Sequence, residues 1–365
     1  MEIEKIPITN RKDEHILLVS QEKVESTETT WLEHIRFVHN TMPELDLDAV
    51  KFSGKFLGRN ISAPIIIGAM TGGTPLTKRI NVSLAKAAQK YKIPMMVGSQ
   101  RVILKRPETK SSFSAVRECA PDVPIVGNIG IAQIATSENF DYIHEIIDNI
   151  EADAVAIHFN VIQEVIQPEG DKNFAGVLQN IAKLKDQIDI PIIIKETGCG
   201  ISKNTARQLF DIGIEHIDVS GVGGTSWIAV EYYRAKKYGE VSKKELGKLF
   251  WDWGIPTAAT ILEVQSAVTR PESTKIIGSG GIRSGIDVAK AIRLGANFAA
   301  LARPFLIVAL EGESSIETFI EQTIKELQIT MLLTGSKTIE ELKKAPVVIG
   351  SSLKEWIEKR KIDFT

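Results

Sequence analysis

The chain has 365 residues, of which 43% are hydrophobic and 25% charged, so it can bury a large core and is not intrinsically disordered. Forty-four lysine and arginine residues oppose 46 aspartate and glutamate residues. The formal net charge of -2 excludes the overall basic field that favours nucleic-acid binding, so any anion site must be local.

The start of the chain carries no targeting pattern. Residues 1–7 lack the apolar core of a signal peptide, and apolar runs such as residues 63–70 are too short to span a bilayer. We therefore expect a cytoplasmic protein with no membrane and no nucleic-acid partner. The two cysteines, Cys119 and Cys199, form no metal or disulfide pattern and are predicted to be core thiols.

An N-terminal arm precedes the first predicted strand and spans residues 1–60. Within it, residues 10–15 read Asn-Arg-Lys-Asp-Glu-His and concentrate charge over six positions. Such a cluster is either a solvated surface or an anion-binding site, and the sequence alone leaves both interpretations open.

Eight short runs rich in valine, isoleucine and alanine predict buried strands. They lie at residues 63–69, 93–98, 123–128, 153–158, 190–196, 214–220, 275–279 and 298–302. Helical spacing of apolar residues occurs between them, at residues 79–91, 141–150, 175–187, 203–212 and 286–294. This alternation predicts an α/β fold with a parallel sheet, and eight repeats fit a closed (β/α)8 TIM barrel better than an open doubly wound sheet.

Three further segments complete the predicted architecture. Residues 255–264 are assigned to the helix before the seventh strand, because Pro256 suits a first helical turn. Amphipathic segments at residues 316–333 and 338–344 follow the barrel. We predict a single domain with an N-terminal extension (1–60), a barrel (61–310) and C-terminal helices (311–365).

The end of the fourth predicted strand carries the most informative polar residues. His158 and Asn160 end this strand, and Gln163 and Glu164 follow in the next loop. Active sites of parallel α/β folds lie at the carboxyl ends of the strands. An imidazole, amides and a carboxylate without a serine or cysteine nucleophile suit proton transfer and binding of a metal-bound anion. A polar loop with a satisfied histidine is the alternative.

The seventh and eighth strands end in features that favour phosphate binding. Residues 275–285 form a strand, a glycine turn and a helix start, and residues 300–305 repeat a strand end one unit later. Backbone amides at glycine turns and helix N-termini bind anions, and this pair of strands is the usual phosphate site of the barrel fold. In the alternative interpretation, Gly280 and Gly281 only turn the chain.

A phosphate held there places the rest of a flavin-sized cofactor across the barrel mouth. Residues at other strand ends also look suited to a flavin ring, because amides and hydroxyls can bind its pyrimidine edge and a lysine can stabilise negative charge on the reduced ring. They are Ala69, Met70, Thr71, Ser99, Asn128, Lys195, Ser220 and Thr225. Lys195 is the clearest candidate, because a lysine that ends an isoleucine-rich strand is unfavourable unless it pairs with an anion.

Motifs along the chain together resemble those of type 2 isopentenyl diphosphate isomerases. They are NRKDEH at 10–15, MTGG at 70–73, GSQR at 98–101, HxN at 158–160, QE at 163–164, QPEG at 167–170, KExG at 195–198, GGTxW at 223–227 and GSGGIR at 278–283. The resemblance implies an FMN-dependent, Mg²⁺-requiring enzyme that interconverts isopentenyl diphosphate and dimethylallyl diphosphate. It also implies a cytoplasmic homotetramer or homo-octamer whose flavin is reduced, for example, by NADPH.

The resemblance also implies roles for individual residues. The predicted catalytic residues are Gln163, His158, Asn160 and Lys195. Contacts with the substrate are predicted for Arg11, Lys12, His15, Arg101 and Gln163, and a contact with Mg²⁺ for Glu164. FMN contacts are predicted for the eight strand-end residues above and for Gly280, Gly281, Arg283, Ala302 and Arg303. Arg303 departs from the family pattern, because many members have an apolar residue there, and the role of its side chain is left open.

Moving a double bond by one carbon requires adding one proton and removing another, without net oxidation. A side-chain amide such as Gln163 is not a strong acid, which leaves the reduced flavin as proton donor and acceptor in the implied mechanism. An FMN-dependent oxidoreductase of the hydroxy-acid oxidase type is the main alternative. Such an enzyme would have a His-Gly-Gly base motif after the sixth strand, where this chain has Ser-Gly-Val-Gly-Gly at 220–224.

Two further alternatives are weaker. An enzyme that resembles inosine dehydrogenases would need a nucleophilic cysteine in an active-site loop, and neither Cys119 nor Cys199 lies in such a motif. A flavin- or phosphate-binding scaffold without catalysis would be free to lose the adjacent Gln163 and Glu164, yet both are present.

Overall fold

A computed structural model describes residues 8–137, 139–167 and 169–364, with side chains from residue 11 onward. Residues 1–7 of the predicted N-terminal arm and Pro168 of the QPEG motif lie outside the described residues, as does the side chain of Asn10. The described strands are β1 (Ile35–Phe37), β2 (Gly54–Phe56), β3 (Arg59–Ile61), β4 (Ile65–Ile67), β5 (Met95–Met96), β6 (Ile125–Gly130), β7 (Ala154–Phe159), β8 (Ile192–Glu196), β9 (His216–Asp218), β10 (Lys275–Ser279), β11 (Phe298–Leu301) and β12 (Val347–Ile349).

Strands β4 to β11 form a closed parallel barrel in chain order, which confirms the predicted fold. Each of the eight predicted runs overlaps one barrel strand, although β6 and β7 extend two residues and one residue past their runs, and β11 pairs with β4 to close the ring. The register places His158 beside Lys195 and Lys195 beside Asp218 on successive strands. The polar residues at the strand ends are therefore neighbours around one mouth.

The helices connect the barrel strands and extend the chain beyond them. They are α1 (Ile8–Gln21), α2 (Pro75–Tyr91), α3 (Ser111–Cys119), α4 (Ile131–Ala135), α5 (Asp141–Ile150), α6 (Val161–Ile166), α7 (Val177–Lys185), α8 (Lys203–Asp211), α9 (Trp227–Lys237), α10 (Val241–Leu249), α11 (Thr257–Gln265), α12 (Gly285–Arg293), α13 (Arg303–Glu311), α14 (Glu313–Leu333), α15 (Ile339–Leu342) and α16 (Ser351–Arg360). Residues 255–264 contribute the helix α11 as predicted, although Pro256 caps this helix instead of occupying its first turn. None of the described helices is both long and apolar enough to cross a membrane.

A β-hairpin that the sequence analysis did not predict closes the amino-terminal end of the barrel. Strands β2 and β3 pair antiparallel around a turn at Leu57 and Gly58, which both have positive φ angles. Phe56 is buried among the interior side chains, with its ring 4.6 Å from that of Phe298. Burying this ring between the strand ends seals one mouth, so the opposite mouth is left for a site.

The two extensions meet on the outside of the barrel. Strand β1 of the N-terminal extension pairs antiparallel with β12, so the C-terminal extension contains a short strand in addition to its predicted helices. Buried Glu263 of α11 forms an ion pair with Arg360 of α16, at 2.6 Å, and so holds the last helix on the barrel. Both extensions are thus parts of one packed unit.

Candidate active site

The carboxyl-terminal mouth of the barrel encloses a cavity of about 380 Å³. Helix α1 packs beside it against α2, α9 and α13. All the residues proposed from the sequence for catalysis, substrate, cofactor or metal line this cavity. They are Arg11, Lys12, His15, Ala69, Met70, Thr71, Ser99, Arg101, Asn128, His158, Asn160, Gln163, Glu164, Lys195, Ser220, Thr225, Gly280, Gly281, Arg283, Ala302 and Arg303. The volume falls within the usual range for small-molecule sites.

One end of the cavity is formed by backbone groups after β10 and β11. Among the described residues, the N–H groups of Gly281, Ile282 and Ala302 donate to no acceptor. Unpaired backbone donors at two neighbouring strand ends are the arrangement that binds a phosphate. We call this end, residues 280–283 and 302–303, the phosphate end.

The glycines of the phosphate end are required by close packing of two loops. Gly280 and Gly281 have φ angles of +96° and +70°. A Cβ atom would lie 2.1 Å from Gly221 O at the first position and 2.2 Å from Gly223 O at the second. Both sequence interpretations therefore apply, since these residues turn the chain and leave amides beside the cavity.

Two arginines at the phosphate end bind the same carboxylate, Glu25, which the sequence analysis did not single out. Arg283 Nη2 lies 2.7 Å from Glu25 Oε1, and Arg303 Nη1 lies 3.2 Å from the same atom. Arg303 Nε also donates to Val19 O at 3.1 Å. The hydrogen bond from Arg283 is the largest influence that lowers the pKa of Glu25. The Arg303 side chain, whose role the sequence left open, thus ties the N-terminal segment to the barrel.

Other residues that line the cavity carry groups suited to a flavin ring. In the part of the chain that the structure describes, the hydroxyl oxygens of Thr71 and Thr225 are buried beside the cavity and have no hydrogen-bond partner. Lys195 Nζ lies 3.1 Å from Asp218 Oδ2 and donates to Glu196 O at 3.0 Å. The buried anion expected near Lys195 is therefore present within the protein. The unpaired hydroxyls and the unpaired amides of the phosphate end are groups that a flavin and its phosphate would satisfy.

His158 is held as a neutral imidazole of defined tautomer. Asn128 donates its Nδ2 to Val97 O at 3.0 Å, which leaves Asn128 Oδ1 as an acceptor 2.7 Å from His158 Nδ1. The Nδ1 atom must therefore carry the proton, and Nε2 is an acceptor. Burial and the charges of Lys12 and Lys195 lower the pKa of His158 to about 3.

Three cations converge where the cavity is bordered by the loops after β5 and α6. Lys12 donates to Ser99 O at 3.0 Å, Arg11 lies 3.4 Å from Glu169, and Arg101 lies 3.5 Å from Asp171. Burial, then the charges of Arg11 and Arg101, lower the pKa of Lys12 to about 7. The charge cluster at residues 10–15 thus contributes to the cavity, and an anion bound here would relieve the repulsion between its cations.

Gln163 is fixed at both ends of its amide. Its Nε2 donates to Glu231 Oε1 at 3.3 Å, and its Oε1 accepts from Asn160 Nδ2 at 3.2 Å. Asn160 Nδ2 also lies 3.1 Å from Glu164 Oε1, while Glu164 Oε2 accepts from the backbone of Asp171. We call this region, Asn160 with Gln163 and Glu164, the amide pocket.

Unsatisfied groups in the amide pocket indicate room for a polar ligand. Asn160 Oδ1 and Gln167 Nε2 are buried without a hydrogen-bond partner among the described residues, and both residues line the cavity. Within the described residues, no group of three or more His, Cys, Asp or Glu side chains could hold a metal by itself. A cation beside Glu164 would therefore need most of its ligands from substrate oxygens and water, as Mg²⁺ often does.

The sequence analysis missed Glu231, a buried carboxylate behind the amide pocket. His15 Nε2 lies 3.2 Å from Glu231 Oε1, although the pair is not aligned as a hydrogen bond. Burial raises the pKa of Glu231. The nearby His15 and the charge and hydrogen bond of Arg234 outweigh this effect, so the pKa of Glu231 is lowered to about 2. Burial lowers the pKa of His15. The predicted contact of His15 with a diphosphate stays a prediction.

Comparisons with known proteins agree with the geometry. Residues 145–349 match the family model described as FMN-dependent dehydrogenase. A protein of Sulfurisphaera tokodaii named isopentenyl-diphosphate delta-isomerase is 44% identical over 361 residues, which cover 99% of this chain and 96% of that protein. A protein of the same name from Pyrobaculum islandicum is 46% identical over 358 residues, which cover 97% and 99% of the two chains.

Solved structures of flavin enzymes share the fold. A flavocytochrome b2 mutant with pyruvate bound has a TM-score of 0.69 at 20% identity, covering 93% of this chain and 84% of that chain. A mandelate oxidase mutant has a TM-score of 0.66 at 18% identity, covering 93% and 94%. At these identities the similarity concerns the fold alone.

Proposed function

Because the chain belongs to the isopentenyl-diphosphate delta-isomerase family, we propose that it interconverts isopentenyl diphosphate and dimethylallyl diphosphate in isoprenoid biosynthesis, with FMN as cofactor. One observation carries this proposal. The same cavity is lined by unpaired backbone N–H groups, which are suited to a cofactor phosphate, and by the cations Arg11, Lys12 and Arg101, which are suited to a substrate diphosphate.

The cation cluster would anchor the diphosphate and place the hydrocarbon end of the substrate toward the amide pocket. Binding energy at this remote group can orient the alkene before the chemical step. We assign Mg²⁺ to Glu164, with the diphosphate and water supplying its other ligands. Asn160 Oδ1 and Gln167 Nε2, which have no hydrogen-bond partner within residues 11–137, 139–167 and 169–364, are available to the diphosphate or to metal-bound water.

The side chains of Gln163 and His158 are suited to positioning and not to acid catalysis. The Gln163 amide has protein partners at both ends, and neutral His158 offers only an acceptor at Nε2. When bound and reduced, FMN would supply the proton donor and acceptor. Lys195, held by Asp218, would stabilise negative charge at the ring.

The hydroxy-acid oxidase alternative has less support. Such an oxidase needs a base near the substrate carbon, and the sixth-strand loop presents Ser220 with the glycines of residues 221–224. His158 belongs to the fourth strand, and its pKa of about 3 makes its neutral imidazole a weak base. The redox-neutral isomerase is therefore the preferred function.

Activity under anaerobic conditions tests this function. With FMN, Mg²⁺ and a catalytic amount of NADPH or dithionite, the protein should convert many equivalents of isopentenyl diphosphate, and oxidised flavin should be inactive. Gln163→Ala should lose about 100-fold in kcat/KM while keeping its flavin, since a small misplacement costs about that much. Product formed one for one with reductant would instead identify an oxidoreductase.

We also propose a cytoplasmic homo-oligomer, a tetramer or octamer. Support comes from large apolar side chains that are exposed on and after α10, namely Val241, Leu249 and Trp253, which are 70%, 75% and 62% exposed. Exposed apolar groups of this kind often lie in interfaces. Light scattering of the holoenzyme tests the assembly, and a monomeric mass would contradict it.

A further inference from the structure

Arg234 in α9 is a nearly fully buried cation that joins three separate segments, with 1% of its side chain exposed. Its Nε lies 3.0 Å from Glu14 of α1, its Nη1 2.7 Å from Glu231 of α9, and its Nη2 3.0 Å from Glu169 of the turn after α6. The planar guanidinium presents its donors in a fixed fork, so each nitrogen serves a different carboxylate. Arg234 does not line the cavity.

Each of the three carboxylates is connected, by a direct contact or through its helix, to a different part of the proposed substrate site. Glu14 lies on the same helix as Arg11 and Lys12, so it fixes the arm that carries two of the three cations. Glu169 also contacts Arg11 at 3.4 Å, and its turn follows the amide pocket in the chain. Glu231 accepts from the Gln163 amide at 3.3 Å. Both ends of a substrate would therefore be held through the same guanidinium.

The charges in this cluster explain why Arg234 contributes more to its structure than the other cations do. Burial alone would lower the pKa of Arg234, but Glu231 and Glu169 raise it, so the cation persists at all working pH values. Lys237 also pairs with Glu14, at 2.7 Å, yet its side chain is 59% exposed. Removing the buried cation leaves fully buried Glu231 without its arginine partner, although Glu14 keeps Lys237 and Glu169 keeps Arg11. Removing the exposed lysine leaves Glu14 paired with Arg234.

We propose that Arg234 is a positioning residue that sets the diphosphate-binding arm α1 against the Gln163 amide, an inference that rests on the proposed isomerase function. The phosphate end lies outside this cluster, because its donors are backbone groups after β10 and β11. Loss of Arg234 should therefore impair use of the substrate without loss of FMN.

The test compares Arg234→Met, Arg234→Lys and Lys237→Met as purified holoenzymes. We expect kcat/KM for isopentenyl diphosphate to fall about 100-fold in Arg234→Met and about tenfold in Arg234→Lys, because misplacement of reacting groups by about 1 Å costs about 100-fold. FMN content should match the wild type in all three, and Lys237→Met should stay within about twofold of wild-type activity.

A double-mutant cycle separates positioning from general stability. If Arg234 acts through Gln163, Arg234→Lys should cost much less in the Gln163→Ala background than alone, because coupled residues are not additive. Full additivity of the two losses would overturn the proposal. So would unchanged kcat/KM in Arg234→Met, or a loss of FMN that parallels the loss of activity.

A binding measurement keeps this inference separate from the isomerase proposal. Trypsin cleavage after Arg11 or Lys12 reports whether α1 is docked, and inorganic diphosphate with Mg²⁺ should protect the wild type but protect Arg234→Lys several-fold less. If the wild type shows no turnover, the isomerase proposal fails while this comparison still tests the arm. Should Arg234→Met not fold, Arg234→Lys and Glu169→Gln carry the same comparison, and equal protection in both and in the wild type would overturn the proposal.

Discussion

The phosphate end and the amide pocket of the same cavity are built in opposite ways. At the phosphate end, backbone N–H groups of Gly281, Ile282 and Ala302 provide the donors. In the amide pocket, side chains provide the polar groups, and they are oriented through Glu231 and Arg234. A backbone site depends on strand and turn geometry that the barrel already defines, whereas a side-chain site depends on distant partners. The first should be broken by steric changes, and the second by changes of charge.

The largest effect is expected at the phosphate end. Gly281→Asp would place a Cβ 2.2 Å from Gly223 O and add a carboxylate beside the unpaired amides, so we expect complete loss of FMN and a lower melting temperature. Gly239→Asp is the matched control, because Gly239 also has a positive φ, +73°, but no atom lies near its Cβ position. This control should cost only about 1–2 kcal/mol and keep FMN. Full flavin absorbance in Gly281→Asp would rule out a phosphate site there.

A charge change should affect the amide pocket alone. Glu164→Gln keeps the shape of the side chain but removes its charge, so we expect FMN to stay bound while the apparent affinity for Mg²⁺ falls about 10- to 100-fold. Titration of Mg²⁺ in the anaerobic isomerase assay measures this shift. Glu118→Gln, on an exposed position of α3, is the control and should match the wild type. If Glu164→Gln gave the same Mg²⁺ titration curve as the wild type, the assignment of Mg²⁺ to this carboxylate would be wrong.

The cation cluster should make substrate binding depend on pH. The pKa of Lys12 is about 7 in the free protein, and a bound diphosphate would raise it by favouring the charged form. Binding should therefore take up a proton above pH 7 and weaken as pH rises, by at most about tenfold per pH unit, with little change below pH 7. Lys12→Arg should flatten the dependence of KM on pH, because arginine remains charged. The same slope in both proteins would assign it to another group.

The smallest effect is expected for Arg303→Leu. If backbone donors hold the phosphate, removing this side chain should change FMN affinity by less than about threefold, although its contacts with Glu25 and Val19 are lost. Fluorescence titration of the apoprotein with FMN measures this change. A loss of more than about tenfold would mean that the arginine side chain binds the phosphate directly, as a charged hydrogen bond would.

Local sequence patterns predicted much of the fold and most of the residues that line the cavity. Each barrel strand reads as a short apolar run because both of its faces are buried, and all strand ends of a parallel barrel meet at one mouth. For this reason, polar residues at strand ends, such as Asn128, His158 and Lys195, could be placed in one cavity before any coordinates. The charge cluster at residues 10–15 was ambiguous, since nothing local distinguishes a docked arm from a solvated one.

Only the tertiary structure decided which side chains orient the site. The pairing of β1 with β12 and the contacts of Glu25 and Arg234 with distant segments have no local signature. The ion pairs of Arg234 with Glu14 and of Arg303 with Glu25 join residues 220 and 278 positions apart. Apolar periodicity is repeated over a whole segment and can be read from neighbouring residues, but an ion pair is a single contact that exists only after the chain has folded. The sequence by itself therefore determined the barrel and the list of residues around its mouth, while their partners and protonation states were decided by the fold.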